Sequence, residues 1–153
     1  ATEAKVTVHG VPDKPGVAAT MFEPLAAAGV NVDMIVQNIS IEGVTDISFT
    51  VAKDHVDVAR RVADETIAEI GAEGVHVDDN IAKVSLVGAG MKSELGIAAR
   101  MFRILSKHGI NIEMISTSPI RISCVVSGDD VGAAVAALHD GFGLGEQAEE
   151  VSA

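Results

Sequence analysis

The sequence predicts an α+β fold built from two small βαββαβ units in tandem. Two observations lead there: the chain repeats itself, and each copy runs through strand-like and helix-like hydrophobic periodicity in the same order. Lys5-Val6-Thr7-Val8-His9-Gly10 returns as Lys83-Val84-Ser85-Leu86-Val87-Gly88, and Gly16-Val17-Ala18-Ala19 as Gly96-Ile97-Ala98-Ala99. Gly29-Val30-Asn31-Val32-Asp33-Met34-Ile35 returns as Gly109-Ile110-Asn111-Ile112-Glu113-Met114-Ile115, and Ile47-Ser48 as Ile122-Ser123. The loop between the first strand and first helix is two residues longer in the second copy, and the following hairpin is shorter. Two copies are too few for a solenoid, so the expected organisation is a pair of domains, 1–79 and 80–153.

Within the first copy, residues 5–10 form a short β-rich run ending in a glycine. A loop with Pro12, Pro15 and Gly16 follows. Val17, Met21, Phe22 and Leu25 then recur at helical spacing, and Gly29 closes that helix. Residues 30–39 and 45–51 read as two strands joined through Glu42-Gly43, with Ile47, Phe49 and Val51 alternating onto a buried face. Val56, Ala59, Val62 and Ile70 mark a second helix ending near Gly71, and residues 75–78 can make a last strand. The second copy offers Ile97, Met101, Phe102 and Leu105 before Gly109. It then gives an alternating strand of Ile120, Ile122, Cys124 and Val126, and a helix carrying Val131, Val135, Leu138 and Phe142. Its last strand, around 147–152, is weak. The order is that of a ferredoxin-like domain.

Composition narrows the function. The 153 residues are 48% hydrophobic, with only 3% aromatic and neither Trp nor Tyr, and mean hydropathy is +0.34. The core is therefore aliphatic, and stacking platforms for bases are scarce. A formal charge of -11 would repel a phosphate backbone, so nucleic acid is not an expected partner. Apolar runs fall short of the ~18 residues of a membrane span, so no membrane association is expected. The single Cys124 allows neither an internal disulfide nor a Cys-rich metal cluster. With no visible signal peptide, the expected location is cytoplasmic. The chain begins at Ala1, as a processed product or an excised fragment would.

No catalytic constellation is apparent. His9, His55, His76, His108 and His139 do not pair at metal-ligand spacing, and neither an HExxH nor a GxSxG motif occurs, so no catalytic residue, metal site or cofactor is expected. Gly88-Ala89-Gly90-Met91-Lys92-Ser93 imitates a dinucleotide turn, but Ser93 stands at the third glycine position, and Met91 separates Gly90 from Lys92 against the phosphate-loop pattern. The informative segments are instead the two strand-to-helix loops, Gly10–Gly16 and Gly88–Gly96. Backbone amides at a helix N-terminus suit a carboxylate, Gly16 and Gly96 permit close approach, and Asp13 can accept from an ammonium or hydroxyl group. Alternatively Asp13 and Ser93 are simple helix caps. The second strand of each copy carries polar residues where a buried strand would be apolar: Gln37, Asn38 and Ser40 after Met34-Ile35-Val36, and Ser116, Thr117 and Ser118 after Met114-Ile115.

These residues resemble a known family. Asp13-Lys14-Pro15-Gly16 with Val32–Ser40 resembles the first ACT domain of aspartate kinase. Lys83–Ser93, with Asn111–Ser118 and Ile120–Ser123, resembles the second. The resemblance spans residues 5–145 and leaves no room for a kinase domain. It implies a non-catalytic regulatory (β) subunit or excised regulatory region that works with an aspartokinase catalytic (α) subunit. It also implies a homodimer in which the first ACT domain of one chain pairs with the second of its partner, binding L-threonine at the seams for feedback control of lysine, threonine and methionine biosynthesis. Carried over by motif, Asp13, Gly16, Ala18 and Gln37 would hold threonine from the first domain, with Asn111 and Ile112 contributed by the second. Asn38, Ser40, Ser93 and Ser118 are candidate regulatory positions. Pro119 departs from the family pattern, which has an acidic residue there, and the hairpin after Ser40 is short. Lysine as ligand, a sensor attached to another enzyme and a purely structural dimerisation subunit are the competing expectations.

Overall fold

The computed structural model describes residues 3–39, 42–87, 96–142 and 150–152. Its elements are β1 (Glu3–Pro12), α1 (Val17–Ala27), β2 (Val32–Ile39), β3 (Val44–Ala52), α2 (Val56–Ile70), β4 (Gly74–Val87), α3 (Ile97–Lys107), β5 (Met114–Ser118), β6 (Arg121–Ser127), α4 (Val131–Gly141) and β7 (Glu150–Ser152). Single turns of 3-10 helix, Lys53–His55 and Gly128–Asp130, lead into α2 and α4. The chain divides into two compact units between Asp79 and Asn80.

In the first unit the strand order is β2-β3-β1-β4, with β3 antiparallel to both β1 and β2. Alternation dictates the buried face. Val6 lies opposite Phe49 and Val8 opposite Ile47, all in the core, while Lys5, Thr7 and His9 point the other way. Helix α1 meets that face with Val17, Met21 and Leu25, one residue per turn. Helix α2 adds Ala59, Val62, Ala63 and Ile70. Phe22 packs edge-to-face on Phe49 at 5.4 Å between ring centroids. Helix α1 continues through Pro24, whose missing N–H leaves the Thr20 carbonyl without its helical donor. Gly29 at φ 79 then ends the helix, and Val30 N–H donates back to Leu25 O.

The second unit repeats the pattern as β5-β6-β4-β7, with β4 supplying its later residues. Val84 faces Cys124 and Leu86 faces Ile122, covered by Ile97, Met101 and Leu105 of α3 and by Ala134 and Leu138 of α4. The weak last strand is present as the three-residue β7, paired to β4 with Leu86 opposite Val151. In both units a hydroxyl pair bridges equivalent strands away from the helices: Thr7 Oγ1 lies 2.9 Å from Ser48 Oγ, and Ser85 Oγ 2.8 Å from Ser123 Oγ.

The structure departs from the sequence expectation in three strands, one of which, β6, begins at Arg121 and leaves Ile120 in the turn before it, 55% exposed. The runs at 75–78 and 83–87 are one strand, β4, because Asp78-Asp79-Asn80 stays extended instead of turning. Strand β1 does not end at Gly10; the register slips between Val8 and Val11, and pairing resumes to Pro12 opposite Val44.

Phe49 is fully buried and carries the largest side chain of the first core. Phe49→Ala is expected to lower unfolding free energy by ~3–5 kcal/mol, measured by urea denaturation, because neighbours anchored on two helices and three strands cannot collapse fully into the vacated space.

Candidate functional site

The loop from β1 to α1 is built almost wholly from backbone constraints. Gly10, at φ 66, carries β1 through its bulge. Beyond it Asp13 N–H donates to Gly43 O at 2.9 Å, and Lys14 N–H to Pro12 O at 3.1 Å. Gly16 then takes φ 89 and starts α1 with no side-chain cap. The Asp13 carboxylate therefore does not cap this helix, contrary to the simpler of the two expectations for it. The Thr20 amide donates to Gly16 O at 3.0 Å. The amides of Val17, Ala18 and Ala19 stand ahead of it, in the turn where a helix offers no acceptor of its own.

Val17 and Ala18 border a cleft of ≈ 350 Å³ that is also lined by Val11, Pro12, Asp13, Lys14, Pro15, Gly16, Gln37 and Ile47. Asp13, Gly16, Ala18 and Gln37 thus come together from three elements. Buried Val11, Val17 and Ile47 give the cleft an apolar side, while Asp13, Ala18 and Gln37 are exposed on it. The arrangement suits a small zwitterion: the positive end of α1 and its amides for a carboxylate, Asp13 for an ammonium, Gln37 as donor and acceptor, and the valine and isoleucine surface for a short side chain.

Asn111 and Ile112 lie in the other unit, just past the end of α3, on a separate cleft of ≈ 370 Å³ with Phe102, Ser106, Gly109 and Ile110. Asn38 is next to Gln37 on β2, so its side chain faces the opposite side of the sheet; its backbone carbonyl accepts from Thr45 Oγ1. Ser118 is exposed at the β5–β6 turn, its Oγ 3.5 Å from Arg121 O. Ser40, Ser93 and the glycine-rich segment from Gly88 lie outside the described residues. Sequence reasoning named neither Ile47 as a wall of the cleft nor Lys14 at its rim. Ile47 was legible only as core, since alternation reports burial and not what lies along the strand edge.

The other chemistry-bearing residues take structural positions. His108 closes α3, its Nδ1 2.9 Å from Ile104 O, and His139 sits in the last turn of α4. Among the described residues no group of three or more His, Cys, Asp or Glu side chains could hold a metal. Cys124 Sγ lies 4.0 Å from Met101 Sδ inside the second core, and burial pushes its thiol up to about 11. No described helix is long and apolar enough to cross a membrane.

The chain is a tandem pair of ferredoxin-like domains, one of them with a cleft at an uncapped helix N-terminus. The family model described as the ACT domain matches residues 6–67 and 84–142, one match per unit. An aspartate kinase of Pseudomonas fluorescens is 49% identical over 97% of this chain. Only 36% of that relative is matched, so the chain spans about a third of its length, and the remaining kinase portion has no counterpart in these residues. A chain from a crystal structure of aspartokinase alpha and beta subunits is 43% identical, with a TM-score of 0.88 and 94% of each chain covered. The ligand-free regulatory subunit of aspartate kinase from Thermus thermophilus is 40% identical, with a TM-score of 0.87, covering 92% of this chain and 93% of that one. The chain belongs to the ACT-domain family, among the regulatory subunits of aspartate kinase.

Two outcomes follow from the local geometry. A Cβ at Gly16 meets nothing within 4 Å, so the cost of Gly16→Ala is conformational alone. It should reduce stability by ~1–2 kcal/mol in urea denaturation with the circular dichroism spectrum unchanged. Cys124 should resist iodoacetamide at pH ~8 in the folded protein and react promptly in urea, since the reactive thiolate is suppressed only while the core is intact.

Proposed function

We propose that this chain is the amino-acid sensor of an aspartate kinase, binding L-threonine and transmitting feedback inhibition to a catalytic α subunit that phosphorylates aspartate. The observation that carries this reading is the convergence of Asp13, Gly16, Ala18 and Gln37 on one cleft at the open N-terminus of α1. The domains are taken as 1–79 and 80–153. In a two-fold homodimer the first domain of each chain pairs with the second domain of the other. Asn111 and Ile112 then complete the site across the seam, and their own cleft supplies the surface that does so. Asn38, Ser40, Ser93 and Ser118 tune the response rather than hold the ligand. Such a protein works in the cytoplasm.

The mechanism needs no chemistry from this chain. Threonine held by two chains stabilises the dimer arrangement that encloses it. That shifts an attached kinase only to the extent that threonine binds the two kinase states with different affinity, typically ~1–3 kcal/mol of coupling.

Calorimetry with a panel of amino acids tests the assignment. Saturable heat from threonine is expected, and heat from lysine, serine or a branched amino acid in its place would reassign the ligand. With threonine bound, Gln37→Ala should weaken affinity by ~1–3 kcal/mol, as expected when a buried hydrogen-bond partner is removed. Unchanged affinity would remove Gln37 from the site.

A further inference from the structure

The strand that leads into the cleft loop carries a bulge just before it. Where β1 slips register between Val8 and Val11, Gly10 turns its amide out of the ladder at φ 66. Asp46 of β3 takes that amide: Gly10 N–H donates to Asp46 Oδ1 at 3.1 Å. The second carboxylate oxygen lies 3.4 Å from His9 Nδ1, with the two side chains 45% and 47% exposed. A half-exposed pair of that length contributes little by itself. The bond to the amide is different, because it decides where the backbone goes next.

Glu73 closes the other side of the bulge. Its N–H donates to His9 O at 2.8 Å, and a Cβ on Gly10 would meet its side chain at 2.5 Å. Three residues past Gly10, Asp13 N–H is fastened to Gly43 O. The segment between Asp46 and Gly43, at the start of β3, thus holds the loop on both sides of Pro12. The internal repeat supplies a comparison. Val87 and Arg121 stand opposite each other where the first copy has His9 and Asp46. The second copy has no carboxylate at the matching place, although it keeps the hydroxyl pair two residue pairs along the ladder.

We propose that Asp46 is a positioning residue for the amino-acid cleft, its carboxylate fixing the bulge at Gly10 and, through it, the loop that presents Asp13, Gly16 and the first amides of α1. Asp46 itself touches no ligand; it lies on the sheet face opposite Ile47, which lines the cleft. This role rests on the reading of the cleft given under Proposed function.

The test compares the full-length chain with Asp46→Ala and Asp46→Asn. Asparagine keeps an oxygen that can accept from Gly10 N–H; alanine does not. Threonine affinity is measured by calorimetry well below the unfolding midpoint of each variant, alongside proton–nitrogen spectra of the loop amides. Asp46→Ala is expected to weaken threonine binding roughly tenfold and to move the Gly10 to Val17 resonances, while Asp46→Asn stays within about threefold and keeps them near wild type. Wild-type affinity and unmoved loop resonances in Asp46→Ala would overturn the proposal. So would Asp46→Asn falling as far as alanine. A lowered unfolding midpoint with unchanged affinity would assign Asp46 to stability alone and also overturn it. If the wild type gives no heat with threonine, the ligand assignment fails separately. The loop resonances of the two variants then decide alone whether Asp46 sets the loop.

Discussion

The uncapped first turn of α1 is the feature on which the rest of the site depends. Helix starts ordinarily recruit a Ser, Thr, Asp or Asn side chain to satisfy one of the leading amides. Here the N-cap is Gly16, in a left-handed conformation and with no side chain to offer. The nearest acid in sequence, Asp13, lies three residues before it and has its own backbone N–H bonded to Gly43 O. The fold thus leaves donors open at the positive end of a helix, beside an apolar wall and two polar side chains. Open donors of that kind suit a small carboxylate.

The internal repeat explains how such a site can be regulatory. The two units share strand order, helix placement and even the hydroxyl pairs on the strands away from the helices. They differ where function would require it. The first loop is shorter and is tied to β3 by the Asp46 carboxylate, whereas the second copy has Arg121 at that position. Exposed Ile35 and Ile115 occupy matching positions on β2 and β5, at 55% and 45% exposure.

Much of this was legible in the sequence, and the limits have physical causes. Helical spacing of Val17, Met21 and Leu25, and of Ile97, Met101 and Leu105, located α1 and α3 because packing one helix face on a sheet is written directly into periodicity. Gly29 and Gly71 marked helix ends because their positive φ is needed there. The strand β4 was read as two pieces, since Asp78-Asp79-Asn80 carries the composition of a turn and only tertiary pairing keeps it extended. Asp13, Gly16, Ala18 and Gln37 were assembled by family resemblance; the spacing of the residues alone left Asp13 undecided between ligand and cap. Asp46 was not singled out, because its partner is an amide freed by a bulge, and a bulge follows from strand register rather than from any local motif.

A crystal structure of the chain grown with L-threonine tests the central claim most directly. The account predicts threonine in the cleft between Asp13 and Gln37, its carboxylate within hydrogen-bond reach of the Val17 and Ala18 amides, with Asn111 of the partner subunit closing the site. Threonine bound elsewhere, or a saturated crystal in which those amides remain without a ligand, would contradict it.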